Sequence, residues 1–185
     1  MDEPDVVIRE AKADEWVDVG ELTYAAYVPL FPFDDLGWYG RELRDVEGRA
    51  AHSRIIVAEL EGKLVGAVSH LDDYTSDPGL SHLTIGPVPG FRMLAVHPDG
   101  QGRGIGRSLT DHSIERARAF GSSEIILHTT DYMKVAQALY QRMGFVRYPE
   151  IDRQIGGSSP VHVKGFRKDL AAPAEEPHPG RGVSQ

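Results

Sequence analysis

Glycines and arginines crowd the segment of residues 101–107, a composition that suits anion binding. Glycines lack a Cβ atom, so successive backbone N–H groups can turn toward a single phosphate group. An apolar run that ends at Val96 predicts a strand before this turn, and a helix is predicted from about Gly104 to Phe120. The positive end of that helix adds to the attraction. The sequence therefore predicts a phosphate site made of Gln101, Gly102, Arg103, Gly104, Ile105, Gly106 and Arg107.

The spacing Gln-x-x-Gly-x-Gly separates this turn from two other phosphate loops. A P-loop needs a Lys followed by Ser or Thr, and the segment contains no such pair. The dinucleotide fingerprint needs a third glycine at its own offset and an acidic residue about 20 positions later at the end of a strand. Neither is present, so the spacing disfavours an oxidoreductase that binds a dinucleotide, which stays an alternative.

A second segment, residues 127–145, predicts a strand followed by a helix that ends in Leu-Tyr-x-x-x-Gly-Phe. Gly144 is placed to end that helix, and Tyr140 lies at the edge of its apolar stripe. From the stripe alone, Tyr140 is either a half-buried residue between helix and sheet or a reactive phenol. The stripe consists of Val135, Ala136, Leu139 and Met143.

Together the two segments resemble the signatures of the GNAT-type (general control non-repressed related) N-acetyltransferase superfamily. The resemblance covers about residues 5–170. It implies an α/β (α+β) fold with a mixed central sheet of six to seven strands and about four helices. It also implies that the fourth and fifth strands splay apart around acetyl-CoA, which is a co-substrate of this family.

Apolar runs and turn residues along the chain agree with this fold. A helix is predicted over residues 15–27 with Asp14 as its N-cap, and a short one over residues 39–46. The helix after the glycine turn is predicted to face the sheet with a stripe of Ile105, Leu109, Ser113, Ala117 and Phe120. Ile114 falls outside this stripe. Strands are predicted over residues 6–8, 54–59, 63–70, 91–96, 124–128, 146–155 and 161–167.

Length and composition fit one domain over residues 1–170. Residues 171–185 contain three prolines and no apolar period, so a disordered tail is predicted there. Zero cysteines exclude disulfides, thiolate metal sites and a cysteine nucleophile. The acidic N-terminus does not have the order of a signal peptide, and no apolar run approaches the roughly 20 residues of a membrane span. We therefore expect a cytoplasmic protein.

The net charge of −8 argues against nucleic acid or an anionic membrane as a partner, because both bind clustered basic surfaces. The same charge is compatible with cationic substrates such as amines, although solubility explains it equally well.

The resemblance assigns roles to particular residues. The main chain of Leu94, Ala95 and Val96 would pair with the pantetheine arm of acetyl-CoA, and residues 101–107 would hold the pyrophosphate. Tyr140 would protonate the departing thiolate as a general acid. The reaction would proceed by direct attack of a bound amine, without a metal ion and without a covalent enzyme intermediate.

One position departs from the family pattern. Many members have an asparagine where this chain has Met133, so apolar contact would replace a side-chain hydrogen bond to the cofactor. The nearby polar residues Thr129, Thr130 and Asp131 are alternatives that the sequence does not separate.

The general base is not evident from the sequence. The glutamate that often precedes the fourth strand end is absent, and Gly90, Phe91 and Arg92 occupy that stretch. His82, Asp72 and Asp73, with His70, are candidates because they lie on or after the third strand, and water is another. His97 fits a turn better, and His128 fits a satisfied strand residue.

The acceptor is an amine whose class stays open: a small molecule, a polyamine, a peptide N-terminus or a protein lysine. The loop of residues 27–39 combines aromatic side chains with Asp34 and Asp35, which suits an amine pocket or a lid over the core. A homodimer is compatible with the family. The alternative function is a non-catalytic sensor or subunit that binds acyl-CoA.

Overall fold

A mixed sheet of eight strands organises the portion of the chain that the computed structural model describes, which is residues 6–32, 36–77, 80, 86–155 and 161–170. The strand order is β1-β2-β3-β4-β5-β8-β6, and β7 pairs with β8. Only β4 and β5 run parallel among these pairs. The strands are β1 (Val6–Glu10), β2 (Arg54–Leu60), β3 (Lys63–Leu71), β4 (Gly90–Val96), β5 (Glu124–Thr130), β6 (Val146–Arg147), β7 (Arg153–Ile155) and β8 (Val161–Asp169).

The predicted mixed α/β sheet is confirmed, but within the described residues it has eight strands rather than six or seven. The extra strand arises because the predicted strand of residues 146–155 is divided into β6 and β7. A 3-10 turn at Pro149–Ile151 separates the two halves. Proline has no backbone N–H to donate to a neighbouring strand, so it interrupts the pairing there.

Five α-helices pack on this sheet in the described ranges. They are α1 (Trp16–Tyr27), α2 (Gly37–Arg44), α3 (Val46–Ala50), α4 (Ile105–Ala119) and α5 (Lys134–Arg142). The single helix predicted over residues 39–46 is two helices, because Asp45 ends α2 and accepts a hydrogen bond from the Gly48 N–H at 2.9 Å as the N-cap of α3. None of the helices in the described ranges has the length and apolar composition needed to cross a bilayer.

The predicted cap of α1 is wrong. Asp14 lies in a 3-10 turn at Ala13–Glu15, and α1 starts after it without a side-chain cap. The Glu15 carboxylate instead accepts the Lys12 backbone N–H at 2.7 Å and pairs with Arg9 at 2.6 Å.

Helices α4 and α5 cover one face of the sheet, and α1, α2 and α3 cover the other. The buried face of α4 includes the predicted Ile105, Leu109, Ser113 and Ala117. Two expectations for α4 are wrong: Ile114 is buried, and Phe120 is 59% exposed. Ile114 is buried because the buried face of α4 is broader than the predicted stripe and also includes Thr110. Phe120 is exposed because it lies past the end of the helix, where the Arg116 guanidinium covers its ring.

Strands β4 and β5 pair only where β4 begins, against the middle of β5. Their register pairs Gly90 with Ile126 and Phe91 with Leu127, and no further pair follows. A Cβ atom at Gly90 would lie 2.4 Å from the Tyr74 ring and 2.7 Å from the Ile126 carbonyl oxygen, so this close approach requires glycine. Beyond Phe91 the two strands separate, as the resemblance implied.

A β-bulge lies in β4 just after the last pair with β5. Between Ala67 and Ser69 of β3 the partner residues jump from Ala95 to Arg92, so β4 carries one extra residue. Met93 lies in this bulge and has a left-handed φ of 52°. This conformation costs a non-glycine residue on the order of 1 kcal/mol. The bulge bends β4 at the point where the cleft opens.

His70 is fully buried on β3, toward α4. Its Nε2 lies 3.3 Å from Asp72 Oδ1 without hydrogen-bond geometry, and neither ring nitrogen has a hydrogen-bond partner among the described residues. Burial lowers the pKa of His70 from 6.5 to about 4, against the opposing charge of Asp72. The folded chain therefore holds a neutral imidazole at pH values where the unfolded chain is protonated.

We expect the free energy of unfolding to fall as the pH is lowered from about 6.5 to about 4, because only the unfolded chain then gains a proton at His70. This histidine should add up to about 1.4 kcal/mol per pH unit to the slope of the free energy of unfolding against pH. Urea unfolding of the wild type and His70→Gln at several pH values measures this slope. His52→Gln, at an exposed histidine, is the control. Parallel curves for wild type and His70→Gln would contradict the assignment.

Candidate functional site

A cleft of about 550 Å³ lies where β4 and β5 separate. Its walls come from the end of β4, the glycine turn, the end of β5 and α5. Every cofactor residue predicted from the sequence lines it except Arg103, which is exposed on the turn. The predicted residues in the lining are Leu94, Ala95, Val96, Gln101, Gly102, Gly104, Ile105, Gly106, Arg107, Met133 and Tyr140.

The glycine turn exposes backbone at one end of the cleft. Gly102 and Gly104 have φ values of 78° and 74°, and a Cβ atom on either would meet no protein atom within 4 Å. Gly104 is the N-cap of α4, so the N–H groups of the first helical turn have no partner inside the helix. The Arg107 side chain lies beside them and is partly neutralised by Asp111 at 3.5 Å. The turn therefore presents N–H groups and helix dipole to an anion.

The edge of β4 forms the middle of the cleft. Beyond Phe91 the strand pairs with β3 on one side, and its other edge is not paired with β5. Leu94, Ala95 and Val96 line the cleft along this edge. Unpaired N–H and C=O groups on a strand edge can bind an extended ligand as an added strand.

Tyr140 lies on α5 and is 5% exposed. Its ring packs edge-on against Phe91 and Phe145, with ring centroids 5.7 and 5.8 Å apart. Burial raises the pKa of the Tyr140 phenol well above its ordinary value of 10.0, so the hydroxyl stays protonated at neutral pH. Gly144, at a φ of 83°, ends the helix as predicted.

The predicted stripe of α5 is only partly buried. Met143 is buried and Ala136 and Leu139 are half-buried, whereas Val135 is 83% exposed. Helix α5 covers the end of the sheet where the strands separate, so Val135 lies at the rim of the cleft rather than in the core.

A second cavity, of about 590 Å³, adjoins the cleft. We call it the acceptor cavity, after the role that is proposed for it below. Its lining comes from α1, α2, α3, the turn at Tyr74–Ser76, β4, and the ends of β5, β7 and β8. The cleft and the acceptor cavity meet at shared lining residues, which are Tyr27, Arg92, Met93, His128, Thr129 and Met133.

Arg92 carries a largely buried positive charge at this junction. Its guanidinium donates to Asp77 Oδ2 at 3.2 Å and forms a short ion pair with Glu42 Oε1. The two carboxylates come from α2 and from the segment after Tyr74–Ser76, far from Arg92 in sequence. No local motif marks Glu42 or Asp77, and sequence reasoning missed both.

His128 is the second group that sequence reasoning underrated. It lines both spaces, with Nδ1 3.3 Å from the Tyr74 hydroxyl and Nε2 2.9 Å from the Ile151 carbonyl oxygen. Burial, reinforced by the charge of Arg153, lowers the pKa of His128 from 6.5 to about 4. The ring is therefore neutral at neutral pH. Its position near the end of a strand that borders the predicted cleft was the available signal.

The described base candidates lie outside both spaces. Asp72 pairs with Arg116 at 3.0 Å and with Arg54 at 3.4 Å. Asp73 accepts hydrogen bonds from the N–H and hydroxyl of Thr75, which stabilises a turn. Neither these residues nor His70 line the cleft or the acceptor cavity. His82, Asp34, Asp35 and the tail of residues 171–185 lie outside the described residues.

The polar residues before Met133 have different partners. The Thr129 hydroxyl donates to Met133 Sδ at 3.5 Å, and Asp131 pairs with Lys164. The Thr130 hydroxyl oxygen is buried and has no hydrogen-bond partner within the described ranges. Met133 itself is 8% exposed and lines both spaces.

Comparison with known proteins gives one family match. The family model described as "Acetyltransferase (GNAT) family" matches residues 16–145. The yncA structure from Salmonella typhimurium, which holds its cofactor acetyl-CoA, superposes with a TM-score of 0.64 over 95% of this chain and 99% of that one, at 20% identity. At this identity the likeness shows the fold.

Curated relatives match over shorter stretches of the chain. The L-amino acid N-acyltransferase MnaT of Escherichia coli is 30% identical over 105 residues, which are 55% of this chain and 57% of that protein. The mycothiol acetyltransferase of Geodermatophilus obscurus is 38% identical over 56 residues, which are 30% of this chain and 18% of that protein. The chain thus spans less than two thirds of the length of either relative. The names of the two relatives refer to different acyl acceptors.

Proposed function

The chain belongs to the GNAT acetyltransferase family, and we propose that it transfers an acetyl group from acetyl-CoA to an amine by direct attack. One observation carries the proposal. A glycine turn, an unpaired strand edge and a protonated tyrosine border a single cleft, in the order that the phosphate, pantetheine and thioester of acetyl-CoA require.

The cofactor would lie along the cleft with its pyrophosphate at the glycine turn. Gln101, Gly102, Gly104, Ile105, Gly106 and Arg107 would surround the phosphates, and exposed Arg103 would add mobile positive charge. The backbone edge of Leu94, Ala95 and Val96 would hydrogen-bond the pantetheine amides. An N–H group there would also polarise the thioester carbonyl and stabilise the oxyanion of the tetrahedral intermediate.

Tyr140 would act when the C–S bond breaks. The amine lone pair forms a C–N bond to the carbonyl carbon, the oxyanion collapses, and the sulfur leaves with the bonding pair. The phenol then gives its proton to the thiolate. The phenol is protonated at neutral pH, so its proton is available when the sulfur leaves, and the phenolate then regains a proton from solvent.

The acceptor cavity would bind the amine and receive its proton. Glu42 is a carboxylate in this lining with 34% side-chain exposure, so it contacts both Arg92 and solvent. We favour Glu42, with water, over Asp72, Asp73 and His70, because those three lie outside the cavity. Apolar contact from Met133, between the two spaces, would help to keep the reacting atoms away from bulk water.

Gly104→Ala should weaken acetyl-CoA binding about 10-fold or more, because the new methyl group would stand between the phosphate and the backbone N–H groups. Gly121→Ala is the matched control: its φ of 76° and open surroundings impose the same backbone strain outside the cleft. Both variants should lose about 1 kcal/mol of stability. Calorimetric titration with acetyl-CoA separates them, and equal affinities would contradict the phosphate site.

Tyr140→Phe should lower kcat about 100-fold while the affinity for acetyl-CoA stays unchanged, because the ring packing is kept and only the proton donor is lost. CoA release can be followed with a thiol reagent, since the chain has no cysteine that would react. Tyr148→Phe, outside both spaces, is the control. If the wild type binds acetyl-CoA but releases no CoA with any amine, the alternative of an acyl-CoA sensor replaces the transferase.

A further inference from the structure

Arg153 is a cation of the acceptor cavity that has no acidic partner among the described residues. Its Nη2 donates to the Ile151 carbonyl oxygen at 3.2 Å and contacts His128 Nε2. The adjacent carboxylate of Asp152 is held elsewhere, by Arg147 at 2.6 Å and by the Gly165 N–H at 2.7 Å. Arg92 in the same lining, by contrast, is paired with two carboxylates.

A half-buried guanidinium without a counter-ion is costly, because the charge loses hydration without regaining an ion pair. Desolvation lowers the pKa of Arg153 to about 10, which still leaves it charged at neutral pH. Among the described residues the cavity therefore contains a cation without an ion-pair partner, where an anionic group of a ligand would bind.

Thr130 gives an independent indication of a ligand at the same place. It is 4% exposed, lines the acceptor cavity, and its hydroxyl has no partner within the described ranges. Thr130 pairs with Val163 of β8, and Val163 pairs with Arg153 of β7. Directly opposed residues share one face of a sheet, so Thr130 and Arg153 lie on the same wall of the cavity.

His128 belongs to this wall as well, because it lies two residues before Thr130 on β5. It is also one of the residues at which the acceptor cavity meets the cleft. An anionic group held by Arg153 would therefore lie one side chain away from the junction. The hydroxyl of Thr130 would supply a second, neutral donor.

We propose that Arg153 and Thr130 bind the carboxylate of the acceptor, and that the acceptor is an α-amino acid. The inference rests on the proposed transferase function and names its substrate class. In an α-amino acid only one carbon separates the amine from the carboxylate carbon, so a carboxylate beside His128 places the amine at the junction with the cleft. Polyamines and protein lysine side chains have no carboxylate at that distance, and a peptide N-terminus has a neutral carbonyl there.

The test compares each of the twenty proteinogenic L-amino acids with its carboxamide, at saturating acetyl-CoA, by CoA release. At least one amino acid should be acetylated with a kcat/KM about 10-fold or more above that of its amide. Arg153→Gln should lower kcat/KM for that amino acid about 10- to 100-fold and change the value for the amide less than about 3-fold. Arg153→Lys should restore some of the loss, and exposed Arg118→Gln is the control.

Thr130→Val gives a second readout that does not depend on Arg153. The two side chains have the same shape, so the fold is kept while the unpartnered hydroxyl is removed. The variant should lose activity toward the amino acid and keep activity toward the amide.

Three results would overturn the inference. Amides could react as well as the acids, or Arg153→Gln could lower both activities equally. The enzyme could also bind acetyl-CoA and acetylate other amines but none of the amino acids, which would leave the proposed function standing. Failure to bind acetyl-CoA would instead overturn the proposed function, and this inference with it.

Discussion

The separation of β4 from β5 is the constraint on which the rest of the structure depends. The two strands meet at Gly90, where only a glycine fits beside Tyr74, and they diverge directly after Phe91. The bulge at Met93 bends β4 away and leaves its edge unpaired. An unpaired edge inside a sheet is unfavourable unless a ligand or another segment covers it. The fold thus forgoes backbone hydrogen bonds at its centre to form the cleft, and the helices on both faces stabilise the opened sheet.

The two spaces beside the separated strands differ in their electrostatics. The cleft is bordered by backbone N–H groups, apolar side chains, a tyrosine whose pKa is raised by burial, and basic side chains that include Arg107 and Arg142. The acceptor cavity contains ionised groups from several separate segments, and in it Arg92 is compensated by Glu42 and Asp77, while Arg153 has no acidic partner within the described ranges. A cavity in which one cation has no acidic partner within the described ranges suits selection among acceptors.

The cleft that we propose for the cofactor could be predicted from the sequence because its components are local. The glycine turn, the preceding strand end and the Tyr140 helix are each encoded within a few consecutive residues, and all but Arg103 of the predicted set line one cleft. The acceptor cavity could be predicted only in part: Tyr27, Trp38 and Tyr39 of the predicted loop line it, but Glu42, Asp77 and Arg153 come together only through tertiary packing. Phe120 and Val135 were misplaced for a related reason: helical periodicity gives a face but not where the sheet beneath that face ends.

The claim that the separated strands and glycine turn form an acetyl-CoA site is tested most directly by isothermal titration calorimetry of the purified chain with acetyl-CoA, CoA and NAD. We predict a dissociation constant in the micromolar range for acetyl-CoA and for CoA, because both carry the same pyrophosphate and pantetheine arm, and no binding of NAD. Absence of heat with acetyl-CoA, or binding of NAD with comparable affinity, would contradict the claim.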